Sequence, residues 1–139
     1  MNMEMTLTHK INKPAGVIFN CLTDVKKFVA VHPVITKMKY LGDNKYRVYE
    51  TLPLGLVPCS FTYMATIEIY YDTKKVVMKA IVMWLVEIEM IFLIKESDNG
   101  ALVEEKIIFK TRLPIAGTLM KIFRKQHERL FKNIETFTT

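Results

Sequence analysis

Residues 3–11 alternate, with Met3, Met5, Leu7, His9 and Ile11 on one side and Glu4, Thr6, Thr8 and Lys10 on the other. A period of two predicts a strand with one buried face. Asn12-Lys13-Pro14 ends it, and Pro14 suits the first position of a helix, where its missing N–H would have no partner anyway. Val17, Ile18, Cys21 and Leu22 then recur at helical spacing. Thr23 or Asp24 can cap a second short helix through Val25, Phe28 and Val29, which His32-Pro33 ends.

From residue 34 to 113 the pattern becomes β. Segments 35–41 and 46–52 flank the turn cluster Gly42-Asp43-Asn44. Phe61, Tyr63, Ala65, Ile67 and Ile69 alternate with Thr62, Met64, Thr66, Glu68 and Tyr70, and Asp72-Thr73-Lys74 makes the next turn. Segments 76–82 and 86–94 read as two further strands, with the turn between them placed at Met83-Trp84 although no Gly, Pro or Asn marks it. Ser97-Asp98-Asn99-Gly100 is a strong turn signal, and 102–113 is the last strand. Pro114 opens a long final helix. Ile115, Leu119, Ile122, Phe123, Leu130, Ile134 and Phe137 share one arc of it, and Lys121, Arg124, Lys125, Arg129 and Lys132 share the opposite arc. A run of antiparallel hairpins must bury one face, and this helix is the element large and apolar enough to cover it.

Composition narrows the class. The chain has 139 residues, half of them apolar and 24% charged, with five Gly and five Pro. That is one domain, 1–139, long enough to build a core, and neither disordered nor collagen-like. The best apolar run, 80–94, is broken by Glu87 and Glu89, so no spanning helix is expected. Glu4, His9 and Lys10 interrupt any secretory leader. Cys21 and Cys59 show no C-x-x-C spacing; they read as reduced core thiols of a cytoplasmic protein, with a bridge between them as the alternative. The net charge is +6, and residues 114–139 carry half of that excess. Such asymmetry fits either an ordinary solvated helix face or a contact with an anionic membrane through Lys121, Arg124, Lys125, Arg129 and Lys132. Only Phe131 lies near that face as an aromatic, which argues against nucleic acid. Nucleotide, hydrolase and zinc motifs are absent, and three scattered His with two Cys make no metal set; no cofactor is expected.

The stretch Ile11-Asn-Lys-Pro14-Ala-Gly-Val17-Ile18-Phe19, followed by Asp24, Phe28 and His32-Pro33, resembles the opening of the START-like or SRPBCC superfamily. Leu113-Pro114-Ile-Ala-Gly117-Thr-Leu119 resembles that superfamily's entry into its C-terminal helix. The resemblance covers essentially the whole chain. It implies an α+β helix-grip fold, in which a curved antiparallel sheet of about seven strands wraps a long C-terminal helix and two short helices follow the first strand. It also implies binding of a hydrophobic small molecule or lipid in a cavity between sheet and helix. The physical argument agrees, because a twisted sheet and a straight helix cannot close along their whole length.

The residues expected to line that gap are Phe28, Phe61, Tyr63, Met90, Phe92, Phe109 and Phe123, with Gln126 as a polar member of the helix arc. The competing reading of the same side chains is a plain solid core. Met would let a ligand site adapt its shape, and Gln126 needs a partner among apolar neighbours. His9, Glu105 and Glu50 share faces with apolar residues, so a polyketide cyclase- or dehydratase-like enzyme using them as acid and base is the alternative function; binding without catalysis is the leading one. For Glu105 the bland reading is pairing with solvent or Lys106, for His9 an edge histidine, and for His32 a loop cap. The apolar segment 53–58 reads as a loop whose Leu54, Leu56 and Val57 close the cavity mouth, touch a membrane or meet a second subunit, or simply pack as a turn. A third function class is a co-chaperone-like or membrane-associated interaction factor using the basic helix face, and a homo-oligomer remains open.

Overall fold

In the computed structural model, which describes residues 2–54 and 56–137, the elements follow the predicted order. Strand β1 (Asn2–Ile11) leads to helices α1 (Ala15–Thr23) and α2 (Val25–Val31). Strands β2 (Ile35–Gly42), β3 (Lys45–Leu54), β4 (Val57–Tyr70), β5 (Lys75–Val82), β6 (Val86–Ser97) and β7 (Gly100–Thr111) follow, and helix α3 (Ala116–Thr136) ends the chain. Among the described residues the strands form one seven-stranded antiparallel sheet in the order β1-β7-β6-β5-β4-β3-β2. The last six strands are a meander, and β1 returns to pair with β7.

The alternating pattern of β1 is realised, with Met5, Leu7 and Ile11 buried and Glu4, Thr6 and Thr8 exposed. Asp24 caps α2 by accepting the Lys27 N–H at 3.1 Å, and Asp24 and His32 end α1 and α2 in extended conformations. Helix α3 packs against β1 and α2. Its far end is tied to both ends of the helical segment: Glu135 accepts the N–H of Asn12 before α1 at 2.8 Å, and Asn133 donates to the carbonyl of Val31 at the end of α2 at 2.8 Å. One apolar cluster joins α1 and α2 to the strands and to Leu130, Phe131 and Ile134 of α3; a second joins Met5, Leu7, Ile88, Ile107 and Phe109 to the first half of α3. The open region lies between them.

Three expectations change. Segment 53–58 is not a loop: β3 and β4 stay paired through Leu52 with Cys59, Pro53 with Pro58 and Leu54 with Val57. Prolines fit there because β2 pairs with β3 only as far as Glu50, and β5 pairs with β4 only from Met64 onward, leaving no outer strand that needs the N–H of Pro53 or Pro58. Cys59 is exposed rather than in the core, while Cys21 is buried and its thiol is pushed up by that burial; both thiols are free. Phe131 is buried rather than beside the basic arc, with its ring stacked on His9 at 4.2 Å.

The turn at Met83-Trp84 lies where the sequence placed it, closed by the Leu85 N–H donating to Val82 at 3.1 Å. Met83 and Trp84 adopt φ 54° and 61°, nearly the geometry of Asp43 and Asn44 at φ 50° and 61°. Left-handed backbone costs an ordinary side chain roughly 1–2 kcal/mol. Replacing Met83-Trp84 by Asn-Gly is therefore expected to raise stability by about 1–2 kcal/mol, read from the urea midpoint. An unchanged or lower midpoint would show the turn to be unstrained.

Candidate functional site

A cavity of about 440 Å³ lies between the inner face of the sheet and helices α2 and α3. Its floor is low because Ala65 of β4 and Ala80 of β5 face each other in register, both lining the space. Met78, Met90 and Phe92 continue the floor, Phe28 closes it from α2, and Leu119, Phe123 and Leu130 form the roof. Of the residues expected to line a site, Phe28, Phe61, Tyr63, Met90, Phe92, Phe123, Gln126 and Glu50 do so. Phe109 does not. It is fully buried in the wall behind Phe123, 5.1 Å from it ring to ring, because α3 crosses directly over this part of β7. Leu56 and Val57 are exposed at the hairpin tip and do not cover the mouth; the side chain of Leu54 lies outside the described residues.

The polar groups fall into three sets. On α3, His127 lines the cavity and is held from behind by Glu105, whose Oε2 accepts from Nδ1 in a very short contact. The other carboxylate oxygen accepts from His9 Nε2 at 3.2 Å. His9 pairs in register with Val103, so it sits diagonally across from Glu105 on the same face of β1 and β7. Glu105 is completely buried. Burial alone would push its carboxyl up, but the hydrogen bonds and charge of His127, then of His9, outweigh it and hold the carboxyl below its ordinary value. An ionised Glu105 accepts only, so His9 Nε2 and His127 Nδ1 both carry protons, and His127 Nε2 is the nitrogen left to serve the cavity. His9 and Glu105 thus point inward as expected but do not line the space; they reach it only through His127. Glu105 pairs with two histidines, and Lys106 pairs with Glu4 instead, at 2.9 Å.

The second set is Glu50 and Tyr63, on β3 and β4. Burial raises the Glu50 carboxyl, and the Tyr63 hydroxyl and the charge of His127 reduce that rise without cancelling it. Tyr63 is pushed well up by burial and then by Glu50. The third is His32, the C-cap of α2, whose Nδ1 accepts the N–H groups of Val34 at 3.2 Å and Ile35 at 3.0 Å. Its loop-capping role was the one expected, and its Nε2–H remains for the cavity that the ring lines. Burial, then the charge of His127, lowers its pKa to about 3, so the ring is neutral.

His127 is the functional candidate that sequence reasoning missed. The signal was present: Phe123, His127, Leu130 and Ile134 follow helical spacing, placing the histidine on the buried arc. Among the described residues, no group of His, Cys, Asp and Glu side chains could hold a metal ion, and no helix is long and apolar enough to cross a membrane.

No known protein family and no curated protein matches the sequence. Solved structures do match in shape. Ara h 8.0201 superposes with a TM-score of 0.80 at 12% identity, covering 98% of this chain and 97% of its own. StfQ, the di-domain ARO/CYC protein of the steffimycin biosynthetic pathway, gives 0.77 at 12% identity over 99% of this chain and 50% of that one. A START superfamily protein from Mycobacterium smegmatis gives 0.74 at 15% identity, over 97% and 94% of the two chains. Likeness at this level of identity is likeness of architecture, and together with the sheet order and the closing helix it gives the conclusion that this chain has the helix-grip, START-like fold.

Proposed function

We propose that the protein binds a hydrophobic small molecule or a lipid chain in the space under α3. The observation that carries this reading is the cavity of about 440 Å³, walled by Ala, Met, Phe and Leu side chains. Small-molecule sites run from roughly 300 to 1,000 Å³ and combine apolar walls with a few placed polar groups. Here the polar groups are Gln126 and His127 on the roof, Glu50 and Tyr63 on the sheet and His32 at the α2 end. Affinity comes from buried apolar area, at roughly 25 cal/mol per Å², and the polar groups set the orientation of the ligand.

Native mass spectrometry before and after organic extraction tests the reading. The expected result is a retained mass in the cell-derived protein that extraction removes and the extracted lipid fraction restores. Ala80→Phe directs a ring from the sheet into the cavity that Ala80 lines, and it is expected to weaken retention about tenfold or more, with circular dichroism checking that the fold persists. Retention that survives Ala80→Phe unchanged, or no retained or rebound mass at all, would sink the proposal.

One observation favours a second reading, acid–base catalysis on a carbonyl-bearing ligand. A buried carboxylate orients an imidazole toward the cavity, and a second carboxyl with a raised pKa stands on the sheet. His127 Nε2 would take a proton from the ligand, and protonated Glu50 or Tyr63 would return one to its oxygen. The likeness to StfQ, a di-domain ARO/CYC protein, makes this the natural reaction class to try. Ligand extracted from His127→Gln protein should then differ in mass or isomer from ligand extracted from the wild type. Identical ligands from both would leave binding alone.

A further inference from the structure

An antiparallel meander puts alternate connections at the same end of the sheet. At one end the turns carry Asp43-Asn44, Asp72-Thr73 and Asp98-Asn99. At the other, the β3–β4 connection presents Leu56 and Val57, and the β5–β6 connection presents Met83, Trp84 and Leu85. These side chains have no partners to bury them: Leu56 is 103% exposed, Trp84 96% and Val57 69%. The cavity reaches this end, since Leu52 and Cys59 of the first hairpin, Met83 and Leu85 of the second, and Leu113 and Ile115 before α3 all line it.

Turn geometry does not account for the apolar residues. Asp43-Asn44 meets the same left-handed conformation with side chains that tolerate it, whereas Met83-Trp84 adopts it against preference. Charge gives the second clue. Residues 52–60 carry no charge and 81–88 carry only Glu87, while 110–125 carry Lys110, Arg112, Lys121, Arg124 and Lys125 with no acid, so these segments together hold +4. Two copies of the chain meeting through this end would bring +4 against +4.

We propose that this end of the molecule docks on an anionic phospholipid bilayer, with Leu56 and Trp84 entering the headgroup region and the cavity mouth set against the membrane. Tryptophan favours the membrane–water interface, where its ring is half apolar and its N–H stays wet. Basic residues near an anionic surface add attraction that salt screens. The contact expected of the whole α3 basic arc thereby moves to its first half, and Arg129 and Lys132 lie beyond it. Docking rests on the surface alone and holds whether or not the cavity retains a ligand, which the extraction experiment reads separately.

Trp84 is the single tryptophan of the chain, so its fluorescence reports on the tip. The full-length protein is titrated with vesicles of phosphatidylcholine alone and of phosphatidylcholine with phosphatidylserine, and binding is quantified by sedimentation. The expected result is a shift of emission to shorter wavelength with the phosphatidylserine vesicles at low salt, reversed at high salt. Leu56→Ser with Trp84→Ser is expected to weaken sedimentation about tenfold or more. Arg112→Glu with Lys121→Glu is expected to abolish it, with circular dichroism confirming that both variants fold. The proposal is overturned by an absent shift, by equal binding to both vesicle types, or by binding that ignores the serine substitutions. It is equally overturned if the shift appears without vesicles as concentration rises and light scattering gives the mass of a dimer.

Discussion

Glu105→Leu is expected to lower stability by about 3–5 kcal/mol, the cost of breaking a buried ionic pair from one side. The carboxylate is fully buried and bonds to both His9 and His127. Removing it strands two imidazole N–H groups, one of them on a histidine as buried as its neighbours Leu130 and Phe131. The double change Glu105→Leu with His127→Leu removes both members of the shorter contact and puts apolar bulk beside Phe92 and Phe123, whose rings lie 6.0 and 5.6 Å from that of His127. It is expected to recover most of the loss, because a buried ion pair and a well-packed apolar pair of similar size differ little in net stability. Urea unfolding of the three proteins decides this. A single variant that loses less than about 1 kcal/mol, or a double variant less stable than the single, would show that the cluster does not hold the fold together. Recovery in the double variant would show that net stability does not require the ionic cluster.

Acidification is expected to destabilise the protein from an unusually high pH. His32 has its pKa lowered from 6.5 to about 3 by burial, with the charge of His127 adding to it. The unfolded chain therefore takes up this proton first as the pH falls below 6.5. Stability is lost progressively down to about pH 3, for a total on the order of 5 kcal/mol. Glu105 adds to the loss lower down: its carboxyl is depressed, so its contribution is present above the ordinary carboxylate range and disappears as pH falls through the folded value. Glu50 works in the opposite sense, since its raised pKa gives stability that is present at low pH and lost as pH rises through the folded value. His32→Asn keeps an acceptor at the position of Nδ1 for the Val34 and Ile35 N–H groups and removes the titration. Urea midpoints over the first unit or two below pH 6.5 should slope by close to one proton in the wild type and be flatter in the variant. Equal slopes would mean that His32 protonates in place.

Much of the site could be read from alternation alone. A period of two puts Glu50 on the face of Tyr46 and Val48, and Glu105 on the face of Val103, Ile107 and Phe109; both faces are inner. Gln126 stood among apolar positions of α3 and faces the cavity. The errors came where a second element decides what an inner side chain meets. Phe109 is as inward as Phe92, yet α3 covers it and leaves Phe92 on the cavity. His9, Glu105 and His127 form one cluster although 96 residues separate the first pair and 22 the second. The apolar segment 53–58 reads as a loop, yet β3 and β4 stay paired there beyond the ends of their outer neighbours β2 and β5.

The sequence by itself determined the elements, their order and the inward face of each, because a period of two or of 3.6 sorts side chains by side without reference to anything distant. Only the tertiary structure decided where α3 crosses the sheet, and with that the volume left open, which inner residues line it and which carboxylate meets which imidazole. Those outcomes depend on the relative placement of two surfaces, and no local run of residues carries that quantity.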